Sequence, residues 1–166
     1  MIGHSSESAF VSFFVNREKV IQVQRSMKAP VISMIGDVIG ELTGKITGER
    51  IVRSHHGILK VEKTMESKGK VLGVDVTLIA TFKAMERPQG GMYAEGNGML
   101  LTMSGDKVSL HGSGISIAGK TGMNMRGVRY AQTASPAFSR LNNVALVYEI
   151  EIKPDGTVRD KWWEWK

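Results

Sequence analysis

The stretch Gly36-Asp-Val-Ile-Gly40-Glu-Leu-Thr-Gly44-Lys-Ile-Thr-Gly48 decides how this chain folds. Its glycines recur every fourth residue, with Val38, Leu42 and Ile46 midway between them. Side chains of a strand alternate between faces, so these seven share one side and alternate small with large. The opposite side carries Asp37, Ile39, Glu41, Thr43, Lys45, Thr47 and Glu49. A helix would scatter the glycines around its surface, each costing about 1 kcal/mol against alanine. Small–large alternation instead suits the crowded interior of a small barrel, where glycine lets a strand coil sharply. The stretch reads as a strand.

Seven further strands are expected downstream, at about 58–67, 71–86, 92–103, 107–118, 123–133, 144–153 and 157–166. Turn residues separate them: Lys68-Gly69, Pro88-Gln89-Gly90-Gly91, Gly105-Asp106, Gly119-Lys120-Thr121-Gly122 and Pro154-Asp155-Gly156. Only Ser135 to Asn143 leaves room for a helical turn. Consecutive hairpins make an up-and-down meander, and closing it removes both exposed edges. The expected fold is all-β, an eight-stranded antiparallel calycin-like barrel over residues 36–166. Residues 1–35 do not share the pattern. Phe10, Phe13, Phe14 and Ile21 could line a helix, Val20 to Gln24 reads equally well as a strand, and the segment is treated as an extension.

Composition limits the function. A chain of 166 residues fits one ordinary domain. With no cysteine there is no disulfide framework, thiolate nucleophile or zinc-finger spacing. The 22 basic and 16 acidic residues give +6, but the excess is scattered rather than gathered into a nucleic-acid-binding run. No apolar run approaches the ~18 residues of a membrane span. Ala9 to Val15 runs straight into Arg17, Glu18 and Lys19, a poor signal peptide. A cytoplasmic protein that binds neither nucleic acid nor membrane is expected. No catalytic, metal or cofactor motif stands out, and neither a metal nor a cofactor is expected. The His55-His56 pair is a weak ligand pattern, because adjacent side chains diverge in extended chain.

Hairpin register assigns the faces. A Gly105-Asp106 turn sets Leu101 opposite Leu110, so Met99, Asn97, Glu95 and Tyr93 join their side. A Pro88–Gly91 loop sets Glu95 opposite Ala84, adding Val74, Val76, Leu78, Ala80 and Phe82. A Lys68-Gly69 turn extends this apolar face to Met65, Val61 and Leu59, with Lys63 inward between them. The last hairpin adds Tyr148, Ile150, Asp160 and Trp162 inside, and pairs Glu151 with Arg159 and Glu149 with Lys161 outside. The sixth strand is open. One register turns Met123, Met125 and Arg129 inward, the other Asn124, Arg126, Tyr130 and Gln132.

Polar residues on an apolar interior are the informative ones. Near one end the expected inward face carries Arg50, Tyr93, Glu95, Asn97 and Asp160, with Arg126 under one register. Barrel mouths meet solvent, so such residues are also ordinary there.

Tyr93-Ala-Glu-Gly-Asn-Gly98, Arg126-Gly-Val-Arg-Tyr130-Ala-Gln-Thr-Ala-Ser135, Arg140-Leu-Asn142 and the ending Trp163-Glu-Trp-Lys166 resemble a group of uncharacterised prokaryotic proteins. That resemblance covers residues 36–166. Strand count and length are similar, more distantly, to the allene oxide cyclase and dirigent-like barrels. This likeness implies an often oligomeric barrel that guides cyclisation in an apolar lumen without a cofactor, and it assigns no catalytic residue here.

The leading expectation is a barrel that binds a small, largely apolar molecule. Phe82, Leu101 and Tyr148 would line the lumen, and Arg50, Tyr93, Glu95, Asn97 and Arg126 would orient a polar group. The enzymatic alternative is a cofactor-independent isomerase or cyclase, with Glu95 as general acid or base and Arg50 or Arg126 steadying an oxyanion. The third is a structural module packed solid by its own side chains. Trp163 and Trp165 both point outward beside Val147, which predicts a homo-oligomer.

Overall fold

The computed structural model describes residues 35–55 and 57–166. The expected 1–35 extension, apart from Ile35, lies outside them, as does His56. Eight strands follow in order: β1 (Ile35–His55), β2 (Ile58–Val71), β3 (Val74–Glu86), β4 (Met92–Leu101), β5 (Lys107–Ala118), β6 (Met123–Gln132), β7 (Leu146–Ile152) and β8 (Thr157–Trp165). Each pairs antiparallel with its sequence neighbour, and β8 returns to β1. The result is a closed up-and-down barrel, and among the described residues no helix is long and apolar enough to cross a membrane.

The glycine-spaced strand behaves as its pattern dictates. Gly40, Leu42, Gly44 and Ile46 follow one another along the inner face, and Leu42 is buried in the core. A Cβ on Gly44 would stand 1.9 Å from the Glu66 carbonyl, so only glycine lets β1 and β2 close here. The alternation does not run the full length. Irregular register flanks Val38, which is exposed, and recurs between Ile46 and Gly48 and between Ile51 and Arg53. An extra residue in one strand moves the following side chains to the other face. Arg50 is thereby turned outward, opposite Glu62.

Three hairpins differ from expectation. β2 runs on through Lys68-Gly69 and turns at Leu72-Gly73, both with positive φ (51° and 80°), the backbone a tight two-residue hairpin needs. The shift is even, so Val61 and Met65 still face inward. The β3–β4 loop takes in Arg87, whose N–H donates to the Gly91 carbonyl at 3.1 Å. Between β4 and β5 the turn is not Gly105-Asp106 alone. It spans Thr102 to Asp106, tied by the Asp106 carboxylate, which accepts from the Thr102 and Ser104 hydroxyls. Each of these two differences inverts parity, and together they cancel for β5. Only β4 is turned inside out: Ala94, Gly96, Gly98 and Leu100 face the core, while Tyr93, Glu95, Asn97, Met99 and Leu101 face outward.

The last hairpin holds the expected register, with Ile152 opposite Val158, Glu151 opposite Arg159 and Val147 opposite Trp163. β6 takes the register that sends Met125 and Arg129 inward. Trp162, Leu42, Leu78, Leu100 and Leu146 form a fully buried centre. At the end holding Leu72-Gly73, a 3-10 turn over Pro136–Asn143 adds buried Phe138 and Leu141. Asn142 braces it, accepting from the Thr133 N–H at 2.8 Å and donating to the Thr133 carbonyl at 3.0 Å.

Candidate functional site

Five inward positions on three neighbouring strands carry no side chain: Gly96 and Gly98 of β4, Gly112 and Gly114 of β5, and Gly127 of β6. Large residues of the other strands occupy the space. A Cβ on Gly114 or Gly127 would lie 2.5 or 2.6 Å from the Tyr148 hydroxyl, and one on Gly112 only 2.8 Å from Arg129 Cβ. Tyr148 and Arg129 therefore sit where glycine makes room. Beside them remains a cavity of about 60 Å³, bordered by Met65, Leu78, Phe82, Leu110, Met125, Arg129, Tyr148 and Ile150. That is well above the ~10–15 Å³ needed to admit one water molecule.

Its polar wall is unusual. Arg129 is 6% and Asp160 1% exposed, and they form a two-pronged pair: Nη1 donates to Oδ2 at 3.0 Å and Nη2 to Oδ1 at 3.1 Å. Both carboxylate oxygens accept, which is the geometry of the ionised pair. Burial pushes the Asp160 carboxyl above the usual carboxylate range, and the Arg129 charge and its hydrogen bonds oppose the rise. The guanidinium carbon lies 4.0 Å from the Tyr148 ring centroid and 4.3 Å from that of Trp162, within cation–π range. The Trp162 indole N–H favours the charged form of Asp160, yet finds no acceptor in hydrogen-bonding geometry. Burial also pushes the Tyr148 phenol up to about 12, so it stays a neutral donor.

Of the residues expected to meet a ligand, Phe82 and Tyr148 line this cavity. Asn97 borders it too, where Gly96 and Gly98 thin the wall. Tyr93, Glu95 and Asn97 are brought together, but on the outer surface. There the Tyr93 hydroxyl donates to Glu95 at 3.0 Å, and His111 lies 3.1 Å from Asn97 Oδ1 and 3.9 Å from Glu95. Arg50 reaches Glu62 at 2.7 Å and Arg126 reaches Glu149 at 3.0 Å, both outside. Leu101 is outward between Thr77 and Lys107. Lys63 does turn inward, half-buried against Glu49 at 3.2 Å.

The residue the sequence left unassigned is Arg129, and two signals point to it. One inward set of β6, Met123, Met125, Gly127, Arg129 and Ala131, is small or apolar apart from the arginine. Asp160, between inward Val158 and Trp162, is an acid that needs a buried cation, and Arg129 is the one this inward set supplies.

No family model matches the chain, and no curated protein matches its sequence. Solved structures do share the fold. A protein of unknown function from Clostridium acetobutylicum superposes with TM-score 0.68 at 13% identity, covering 78% of this chain and 98% of its own. A conserved protein of unknown function from Rhodopseudomonas palustris gives 0.64 at 14%, covering 77% and 95%. An enzyme from Penicillium herquei gives 0.56 at 15%, covering 77% and 92%. At such identities the likeness establishes the barrel and nothing finer.

Proposed function

We propose that this barrel binds a small, largely apolar molecule in its lumen, held at one end by Arg129 and Tyr148. The observation that carries this reading is a stacked, paired arginine on the wall of a largely apolar cavity. A barrel meant only to be filled has cheaper fillers: replacing a buried ion pair by apolar side chains of similar volume is often neutral or stabilising by about 1–4 kcal/mol. Met65 and Met125 flank the cavity, and flexible thioethers can move to enlarge it.

In the isomerase or cyclase alternative, Glu95 faces outward, away from the lumen chemistry. The acid inside is Asp160, already engaged by Arg129. What favours this second reading is the Penicillium herquei neighbour, an enzyme built on a similar barrel.

Native mass spectrometry of freshly purified protein tests the proposal. A copurified mass lost on mild activation, and absent from Tyr148→Trp protein whose lumen is filled, is the expected result. A bare chain that also takes up no small apolar compound at millimolar concentration would refute it and leave the packed structural module.

A further inference from the structure

Resting on the lumen-binding reading, the geometry points to a ligand whose polar group is an uncharged oxygen acceptor, a ketone, aldehyde, ester or lactone carbonyl, rather than a carboxylate or an amine. The wall offers donors. Guanidinium carries five N–H groups, of which Asp160 engages two, and the Tyr148 hydroxyl points to the glycine-lined side. The other side-chain acceptors nearby, apart from the Tyr148 phenol oxygen, already hold a partner. Both Asp160 oxygens take Arg129, Asn97 Oδ1 faces His111 at 3.1 Å, and the Thr81 hydroxyl meets that of Thr64 at 3.1 Å. A ligand amine or ammonium would find the Tyr148 phenol oxygen or lone pairs on groups already hydrogen-bonded, and an ammonium would also face the guanidinium charge.

Charge separates the carbonyl from the carboxylate. The positive charge on the wall is already neutralised inside the barrel by Asp160, itself fully buried. A ligand anion would be desolvated without a free counter-charge and would meet the Asp160 carboxylate across the same guanidinium. A carbonyl takes the spare N–H or O–H donors, and its desolvation is small. The apolar remainder of such a molecule matches Phe82, Leu78, Leu110 and Ile150.

Four compounds of one shape test this: cyclopentanone, methylenecyclopentane (the isostere lacking the oxygen), cyclopentanecarboxylate and cyclopentylammonium. Affinities are read by ligand-observed NMR at pH 7 on the full chain. Cyclopentanone should bind about 3- to 10-fold more tightly than methylenecyclopentane, the worth of a neutral hydrogen bond, with both ions weaker still. Tyr148→Phe, which removes one hydroxyl, should lower cyclopentanone affinity by a similar factor and leave methylenecyclopentane unchanged. Asp160→Asn frees the guanidinium charge and should reverse the preference towards cyclopentanecarboxylate. If that variant fails to fold, the Tyr148→Phe comparison decides. Equal binding of ketone and isostere, or a carboxylate as tight as the ketone in the native protein, would overturn the inference while leaving lumen binding intact. If none of the four binds the folded native protein, the lumen reading itself falls.

Discussion

Arg129→Met tests whether the buried pair holds the interior together. The substitution keeps an unbranched apolar stem against Tyr148 and Trp162 but removes the guanidinium, leaving Asp160 fully buried without its two charge-assisted hydrogen bonds. Breaking a buried pair from one side costs about 3–5 kcal/mol, and the desolvated stacking at 4.0 and 4.3 Å is worth about 1–2 more. Part of that returns if Asp160 takes up a proton, so about 4 kcal/mol is expected, a large share of the ~5–15 kcal/mol of an ordinary domain. At roughly 2–4 °C per kcal/mol for this size, Tm should fall by about 8–16 °C. Replacing both partners, Arg129→Met with Asp160→Leu, removes the orphaned charge and should return to within ~2 kcal/mol of native. Urea unfolding followed by tryptophan fluorescence measures all four corners of this cycle, since Trp162 lies against the guanidinium. A single-substitution loss below about 1 kcal/mol, or additive effects in the double variant, would refute the claim that the two charges act as one unit.

Alkaline unfolding gives a second test. Tyr148 rises to about 12 by burial. Its contribution is intact below the unfolded value of about 10 and lost as pH climbs to 12, about 3 kcal/mol in all; Tyr148→Phe should flatten that decline in urea titrations. Gly44→Ala would place a methyl 1.9 Å from the Glu66 carbonyl and 2.5 Å from Ser67 Cα. Forcing β1 from β2 there should cost at least ~2 kcal/mol by the same assay, and a neutral result would mean that the strands do not meet so closely. For the oligomer, Val128, Val147, Trp163 and Val38 form one outward row across β6, β7, β8 and β1, with Trp165 48% exposed beside it. Trp163→Glu with Trp165→Glu should reduce the native mass in sedimentation velocity to that of a single chain; a native protein that is already monomeric would end this proposal.

The barrel was legible in the sequence because its strongest signals are local and periodic. The glycine spacing of β1, the charge pairs of the last hairpin and the turn at Gly119–Gly122 each specify pairing without reference to the rest of the chain. The wall of β4 was not legible, since facing depends on counting loop residues and each loop beside β4 departs from the count. Arg87 looks like a strand residue until its N–H is seen closing the loop. Asp106 looks like the second half of a two-residue turn until its carboxylate is seen gathering Thr102 and Ser104. Both loops err in parity, so β3 and β5 come out right and hide the inverted strand between them. An internal check was present. The expected inward set of β4 was Tyr93, Glu95, Asn97, Met99 and Leu101, whereas the alternative was Ala94, Gly96, Gly98 and Leu100. Only the second matches the small-residue rule already used for β1.

That same rule explains why the polar group of the interior is an arginine on β6 rather than a glutamate on β4. A lumen closed by eight strands is narrow, so long side chains on one wall require bare backbone on the wall they face. β4 and β5 each give two inward positions to glycine, Gly96 and Gly98 on one and Gly112 and Gly114 on the other. The space beside these glycines can therefore hold Arg129, Tyr148 and Trp162 stacked together. An arginine placed there must carry its own counter-charge, because little solvent reaches it, and Asp160 is the inward acid that lies opposite Ile150 on the neighbouring hairpin. Glycine on one wall, a neutralised cation on the other and methionines beside the gap are three choices with a common consequence. The lumen keeps donors without keeping net charge. A solid plug of leucine would need none of these choices, and a site for a full anion would have left the arginine unpaired.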